Sequence, residues 1–120
     1  MQDRKNFLVL VVEDEFLLRL ELADELARAG WRVAEAANGE EALTKLDGVD
    51  FLITDVRLPG ALDGWAVAAA ARRHRADLPV IYVSANPVND ERRVPGAVFL
   101  TKPVHLHQLL QLCDRMMRGQ

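Results

Sequence analysis

Residues 7–15 read FLVLVVEDE, six consecutive apolar residues that run directly into three acidic ones. A run this short and this apolar is typical of a strand buried on both faces of a parallel sheet. Similar runs follow: FLIT before Asp55, VIYV before Ser84 and VFLT before Lys102. Sites in parallel α/β sheets lie at the carboxyl ends of the strands. The sequence therefore predicts one sheet edge that collects Glu13, Asp14, Asp55, Ser84 and Lys102.

The acidic residues predicted at this edge need a cation. Carboxylates that lie close together repel one another and raise one another's pKa unless a positive charge joins them. Mg²⁺ is suited to this role, because it prefers oxygen ligands and keeps several of its waters. Lys102 would add a second positive charge. We therefore expect a divalent-metal site with a lysine beside it.

Three of these residues also have an ordinary interpretation. Asp14 could cap the first helix, Lys102 could be a solvated loop residue, and the Ser84 hydroxyl could close a local turn. Their order along the chain favours a site, since an acid pair, an acid, a hydroxyl and a lysine follow successive buried runs. We expect no metal cage from His74, His105 and His107, and we expect His105 and His107 to be surface residues at the start of a helix.

Composition indicates an ordinary globular chain. It has 120 residues, 50% hydrophobic and 28% charged, which predicts one domain over residues 1–120 with no output domain. The formal net charge of −3 gives no reason to expect direct binding to nucleic acid or to a membrane. Cys113 is the only cysteine, so an internal disulfide is excluded. With no signal peptide and no bilayer-spanning run, we expect a cytoplasmic protein.

Short apolar runs alternate with segments of helical period, a pattern typical of βαβ units. The expected strands are Phe7–Val12, Arg32–Ala36, Phe51–Thr54, Val80–Val83 and Ala97–Leu100. The expected helices are Glu15–Ala29, a helix from the N-cap Asn38 to near Gly48, one that follows Asp63-Gly64 and ends before Asp77, and one from near His105. The second strand alternates in polarity and is expected at an edge.

The fourth crossover is unusual. Between Ser84 and Ala97 the chain contains NPVNDERRVPG, with a proline near each end, Pro87 and Pro95. Prolines break helices and restrict the preceding residue. Only one or two helical turns are therefore expected here, giving a shortened fourth helix.

The chain resembles the receiver domains of bacterial two-component response regulators. The resemblance extends from Phe7 to about Leu112 and rests on VVEDE, on ITDVRLPG with a later DG, on VSA and on TKP. It implies a doubly wound (βα)5 α/β fold, with a five-stranded parallel sheet in the flavodoxin-like order 2-1-3-4-5. It also implies a phosphoacceptor that receives its phosphoryl group from a histidine kinase or a histidine phosphotransfer protein, with Mg²⁺ as cofactor.

The same resemblance implies a role for each site residue. Asp55 would be the phosphoacceptor and would coordinate Mg²⁺ with Asp14 and the backbone carbonyl of Arg57, while Glu13 would hold metal-bound water. Ser84 would bond a phosphoryl oxygen and Lys102 would pair with the phosphoryl group, with a cis bond between Lys102 and Pro103. Phe99 would be the aromatic switch residue; plain core packing in the fifth strand is the alternative.

Two departures from the family pattern lead to hypotheses. The DG lies one position later than usual, so the loop after the third strand carries an extra residue. The short fourth crossover suggests that Asn86–Pro95 is flexible and orders on phosphorylation or on binding of a partner, which the sequence does not identify. The resemblance also implies that a homodimer could form at the face made by the fourth helix, the fifth strand and the last helix. We expect no external substrate, so the chain is not expected to be an enzyme.

Three other functions fit the sequence less well than this one. A flavodoxin-type cofactor module would need a loop rich in hydroxyls and glycines after the first strand, where this chain has Glu-Asp-Glu-Phe. A metal-dependent hydrolase would need a second catalytic acid after Asp55, and none follows it at the spacing that such enzymes use. A receiver-like scaffold that acts without phosphorylation stays open, although all the chemical residues are present.

Overall fold

The fold is a five-stranded parallel sheet with helices on both faces. The computed structural model describes residues 6–86 and 90–119, and within them the strands follow the order β2-β1-β3-β4-β5. The strands are β1 Leu8–Val12, β2 Arg32–Ala36, β3 Phe51–Asp55, β4 Val80–Ser84 and β5 Val98–Thr101. The helices in the same ranges are α1 Phe16–Arg28, α2 Gly39–Leu43, α3 Gly64–His74 and α4 Leu106–Met117. The predicted fold class and strand order are confirmed.

Alternation along each central strand divides the core into two halves. In β1, Leu10 and Val12 pack with α2 and α3 on one face, while Val9 and Val11 pack with α1 and α4 on the other. All four side chains are buried. This explains the unbroken apolar runs, because a central strand covered on both faces has no side that needs to be polar.

The β1–β3 register brings the predicted site residues together. Val12 pairs with Thr54 across β1 and β3, so the next residues, Glu13 and Asp55, lie side by side at the carboxyl ends of these strands. Ser84 pairs with Thr101 across β4 and β5, which puts Lys102 just beyond the end of β4. The carboxyl edge therefore carries each of the predicted side chains.

Helix α2 is shorter than the sequence predicts. Its N-cap is Asn38, whose side chain accepts a hydrogen bond from the Glu41 amide at 2.7 Å, as expected. The helix ends at Leu43 rather than near Gly48. The Thr44 hydroxyl donates to the Glu41 carbonyl at 2.7 Å and the Lys45 amide donates to Ala42 at 3.0 Å. These bonds tighten the last turn and replace the continuing α-helical pattern.

The expected short helix between β4 and β5 is absent from the described part of the crossover. Residues 90–97 form reverse turns, in which the Arg93 amide donates to the Asp90 carbonyl at 3.1 Å. The Asp90 side chain accepts from the Arg92 amide at 2.8 Å. An Asp side chain that bonds its own nearby backbone competes with helix formation, which explains the difference. The hypothesis of a flexible Asn86–Pro95 segment falls partly on residues 87–89, outside the described residues.

Contacts of arginine and tyrosine side chains hold residues 92–95 against the rest of the domain. Arg92 lies over the Trp65 ring, 5.7 Å from its centroid, and Arg93 lies 5.2 Å from the Phe99 centroid. Arg72 donates to the Pro95 carbonyl at 2.8 Å. The Tyr82 hydroxyl accepts from the Val94 amide at 3.1 Å.

Within the described ranges, no helix is both long and apolar enough to cross a bilayer.

Candidate functional site

Three carboxylates meet at the carboxyl edge of the sheet. Glu13, Asp14 and Asp55 each offer an oxygen atom, and these oxygens lie within 4.8 Å of one another. Glu13 and Asp55 are buried and Asp14 is exposed. The predicted acidic cluster is thus present, with one carboxylate open to solvent.

Lys102 joins two of the three acids. Its ammonium group lies 2.8 Å from Asp55 Oδ2 and 3.1 Å from Glu13 Oε1. Burial works against a charged ammonium, but the hydrogen bonds to Asp55 and Glu13 outweigh it and hold the pKa of Lys102 above its ordinary value. A lysine so placed neutralises part of the charge that two buried carboxylates create.

Glu13 is the most deeply buried acid of the cluster, with only 2% of its surface exposed. Burial raises its pKa to about 7; the Glu15 amide opposes the rise and the charge of Asp55 adds to it. Glu13 Oε2 accepts from the Glu15 amide at 3.0 Å. Burial therefore makes the Glu13 carboxylate costly to ionise.

The backbone after Asp55 is shaped by a glycine. Asp55 Oδ1 accepts from the Arg57 amide at 3.1 Å, so the turn folds back on the carboxylate. The Gly64 amide donates to the Val56 carbonyl at 2.8 Å. A Cβ atom at Gly64 would lie 2.1 Å from the Asp55 carbonyl oxygen. The later DG of the sequence is therefore the point where α3 approaches the Asp55 backbone closely. The ligand role of the Arg57 carbonyl stays a prediction.

Ser84 is in its predicted position, but its hydroxyl bonds within a turn. Ser84 Oγ donates to the Asn86 carbonyl at 2.9 Å and accepts from the Asn86 amide at 3.2 Å. The Ser84 carbonyl accepts from the Lys102 amide at 2.9 Å. The local-turn interpretation therefore describes this form of the protein, and a bond to a phosphoryl group stays a prediction that requires the hydroxyl to turn.

Phe99 belongs to a cluster of aromatic rings beside the site. Its ring centroid lies 5.1 Å from that of Tyr82 and 5.8 Å from that of Trp65. Phe99 itself is only partly buried, and Arg93 covers one face. The structure is compatible with both core packing and a switch role. The peptide bond between Lys102 and Pro103 is cis, as the family pattern implies.

The donor set fits a small divalent cation. All three groups are carboxylates, which Mg²⁺ prefers, and the exposed Asp14 leaves room for waters that Mg²⁺ retains. Within the described residues, the acidic trio is the one cluster of His, Cys, Asp or Glu with such geometry. The three histidines are exposed and contribute nothing to it.

Two residues that contact the site or its loops, Arg19 and Glu40, were not predicted from the sequence. Arg19 donates to the Glu13 carbonyl at 2.8 Å, and Glu40 accepts from the Ala61 amide in the loop after β3 at 3.1 Å. Arg19 continues the buried stripe of α1, three residues before Leu22. A charged residue on an otherwise apolar stripe is a signal that could have identified it.

The doubly wound sheet makes the chain an α/β domain of the flavodoxin-like type. The acids and the lysine form a charged site at the carboxyl edge of this sheet. Residues 9–114 match the family model of the response regulator receiver domain, and the chain belongs to this family. The family is the phosphoacceptor class of two-component signalling proteins. The resemblance found in the sequence is confirmed.

Individual relatives agree with this assignment. The chain is 38% identical over 117 residues to the positive alginate biosynthesis regulatory protein of Pseudomonas aeruginosa, covering 92% of this chain and 47% of the relative. The chain thus spans about half the length of that relative. The structure of a response regulator receiver protein from Sinorhizobium medicae superposes with a TM-score of 0.88 at 28% identity, covering 93% of this chain and 94% of the other.

A third relative was solved with a metal. Response regulator TrrA from Thermotoga maritima, in complex with Mg²⁺–BeF, has a TM-score of 0.81 and 29% identity. The match covers 91% of this chain and 97% of TrrA.

Proposed function

We propose that this receiver domain accepts a phosphoryl group on Asp55, with Mg²⁺ bound by the acidic cluster, and that phosphorylation changes its affinity for a partner protein. The observation that carries the proposal is the Lys102 ammonium, 2.8 Å from Asp55 Oδ2, next to two further carboxylates. The Mg²⁺–BeF complex of TrrA supports Mg²⁺ as the metal here.

The chain's own residues account for the transfer chemistry. An Asp55 carboxylate oxygen forms a bond to phosphorus, while the phosphorus–nitrogen bond of a phosphohistidine breaks and its electron pair stays on the imidazole nitrogen. Asp14, Asp55 and the Arg57 carbonyl would hold Mg²⁺, and Glu13 would hold its water. Bound Mg²⁺ would neutralise the charge on the phosphoryl oxygens. Lys102 adds a second positive charge, with its ammonium group 2.8 Å from Asp55 Oδ2.

The phosphodonor is a histidine kinase or a histidine phosphotransfer protein, and it needs a docking surface beside Asp55. Helix α1 begins two residues after Asp14 and exposes 62% of Phe16 and 69% of Leu17. Leu17 also lines a groove with Lys102 and Pro103. Exposed apolar side chains this close to the site are suited to contact with a donor protein. The domain acts on its own carboxylate and on no external substrate, so we propose that it is not an enzyme.

Phosphorylation would be read out at the crossover and the aromatic cluster. A phosphoryl group adds nearly two negative charges and strong acceptors, and Ser84 would turn from Asn86 towards it. That movement would change the contacts of residues 90–97 with Phe99 and Tyr82. A downstream partner would bind this altered face.

The test is phosphorylation of purified protein by a small acyl phosphate, followed by intact mass, with and without EDTA. Wild type should gain one phosphoryl group that hydroxylamine removes, and only when Mg²⁺ is present. Asp55→Asn should gain none, and Asp24→Asn, an exposed acid on α1, should behave like wild type. Labelling of Asp55→Asn to the wild-type extent would reject Asp55 as the acceptor. A partner that binds phosphorylated and unphosphorylated protein equally would favour the scaffold alternative.

A further inference from the structure

Arg19 is a largely buried arginine on α1, with 15% of its side chain exposed. It lies one turn into the helix that follows the acid pair. One guanidinium nitrogen donates to the Glu13 carbonyl at 2.8 Å. Its Nε lies 3.3 Å from Glu35 Oε1 on β2, and the guanidinium lies 5.5 Å from the centroid of the Phe16 ring. The connection after β1, strand β2 and α1 itself therefore each contribute a contact to this one cation.

The contact with Glu13 completes the bonding of that residue. The Glu13 amide donates to the Ala36 carbonyl at 3.0 Å. Its two carboxylate oxygens bond to the Glu15 amide and to Lys102. The Glu13 carbonyl is the remaining polar group, and Arg19 satisfies it. That carbonyl belongs to the peptide unit that links Glu13 to Asp14, so its orientation sets the direction in which the chain enters Asp14.

We propose that Arg19 is a positioning residue for the metal site. By holding the Glu13–Asp14 peptide unit in one orientation, it would keep the Asp14 carboxylate within reach of Asp55. The inference rests on the proposed Mg²⁺ function. Partners that orient metal ligands commonly contribute about 10- to 100-fold to metal affinity.

The sign of the effect separates positioning from plain electrostatics. Arg19 carries a positive charge near a cation site, so charge alone predicts that its removal strengthens Mg²⁺ binding. Loss of orientation predicts the opposite, because the carboxylates must be ordered at the moment of binding. Weaker binding after neutralisation of Arg19 therefore cannot come from the change in charge.

The experiment measures Mg²⁺ affinity by calorimetry and Mn²⁺ affinity by electron paramagnetic resonance of the free ion. The variants are Arg19→Gln, Arg19→Lys, Glu35→Gln and Arg28→Gln. Glu35→Gln removes the ion pair with β2 but keeps Arg19 able to bond the Glu13 carbonyl. Arg28→Gln removes the same charge from the far end of α1, where Arg28 contacts Glu25. Urea unfolding of each variant shows that the measurements are made on folded protein.

Arg19→Gln should weaken Mg²⁺ binding by about tenfold or more, while Glu35→Gln and Arg28→Gln stay within about twofold of wild type. Arg19→Lys keeps the positive charge and one donor nitrogen, so its Mg²⁺ affinity should fall between those of wild type and Arg19→Gln.

Wild-type affinity in folded Arg19→Gln would overturn the inference. An equal loss in Glu35→Gln would also overturn it, since the effect would then come from the ion pair with β2. If Arg19→Gln does not fold, Arg19→Lys decides: intermediate affinity supports the proposal and wild-type affinity overturns it. Wild-type protein that binds no Mg²⁺ at millimolar concentration would reject the proposed function and this inference with it.

Discussion

The Lys102 ammonium lies 2.8 Å from Asp55 Oδ2, in a site where Asp55 and the neighbouring Glu13 are both buried. Among the described residues, Lys102 is the cation that contacts both of these carboxylates, and it offsets the repulsion between them. Bound Mg²⁺ would take over part of that role. Lys102 and the metal should accordingly be coupled in their effects on stability.

Lys102→Gln should destabilise the metal-free protein and leave it more dependent on Mg²⁺. Removing one partner leaves the buried carboxylates without a charged hydrogen bond, which costs about 1–3 kcal/mol. Urea unfolding in EDTA should show this loss, and unfolding at saturating Mg²⁺ should recover most of it, because the metal binds only the folded state. Lys45→Gln is the matched control, since Lys45 forms an exposed ion pair with Glu41. Equal stability of wild type and Lys102→Gln in EDTA would contradict the proposed charge balance.

Gly64→Ala should displace the backbone that carries Asp55. The added Cβ would lie 2.1 Å from the Asp55 carbonyl oxygen and 2.8 Å from Val56 Cα, and neither backbone atom can move without shifting β3. We expect a loss of about 1–3 kcal/mol or more, together with weaker Mg²⁺ binding. The measurements are urea unfolding and Mg²⁺ calorimetry.

Gly48→Ala is the control for this substitution. Gly48 has φ +75° but open space around its Cβ position. It should cost about 1–2 kcal/mol through backbone strain and leave Mg²⁺ affinity unchanged. Should Gly64→Ala bind Mg²⁺ as tightly as Gly48→Ala does, close packing at Gly64 would not control the position of Asp55.

The positions of the acids and of Lys102 could be predicted because they depend on local pattern alone. Each follows a short apolar run, and parallel strands bring such run ends to one edge. Asp55 and Lys102 are 47 residues apart in sequence and in contact in the structure. Predicting this contact requires only the type of each element, helix or parallel strand, and not the packing of its side chains.

The contacts of Arg19 and the turn at Asp90 could not be predicted in the same way. Arg19 meets Glu35 only because β2 lies beside β1 in a register that pairs Val11 with Glu35, a non-local fact. At Asp90, side-chain bonds to the Arg92 amide compete with helix formation, and the outcome depends on small free-energy differences. The hydrophobicity pattern can mark Arg19 as unusual, but it gives neither the partner of Arg19 nor the outcome at Asp90.

Phosphorylation should release the Asn86 amide. In the structure this amide donates to Ser84 Oγ at 3.2 Å, and the hydroxyl is the group expected to turn towards the phosphoryl oxygens. Loss of one hydrogen bond of about 0.5–1.5 kcal/mol should speed amide exchange at Asn86 by roughly two- to twelvefold. Exchange measured by nuclear magnetic resonance with Mg²⁺ alone and with Mg²⁺ plus beryllium fluoride makes the comparison.

Ser84→Ala provides the control for this exchange experiment. Without the hydroxyl, the Asn86 amide should exchange fast in both conditions, so beryllium fluoride should cause little further change. Wild-type exchange at Asn86 that does not change on adding beryllium fluoride would mean that Ser84 keeps its turn and takes no part in the response.

Tyr82 gives a pH-dependent test of how the crossover is held. Burial raises the pKa of Tyr82 above its ordinary value, more than the hydrogen bond from the Val94 amide lowers it. Because the folded-state pKa is the higher one, the stabilisation from the neutral phenol is fully present below about pH 10 and is lost as pH rises through the folded-state pKa. Tyr82 is the only tyrosine of the chain, so phenolate absorbance reports this residue alone.

Wild type and Tyr82→Phe should therefore converge in stability at alkaline pH. At neutral pH, Tyr82→Phe leaves the Val94 amide without its partner, 3.1 Å away in wild type, at a cost of about 1–3 kcal/mol. Above pH 10 the free energy of unfolding should fall more steeply for wild type, because only its unfolded state gains from phenolate formation. Urea unfolding across this pH range measures both slopes. Parallel slopes, or phenolate absorbance that appears at the ordinary pKa in folded protein, would show that the Tyr82 hydroxyl is not buried against the crossover.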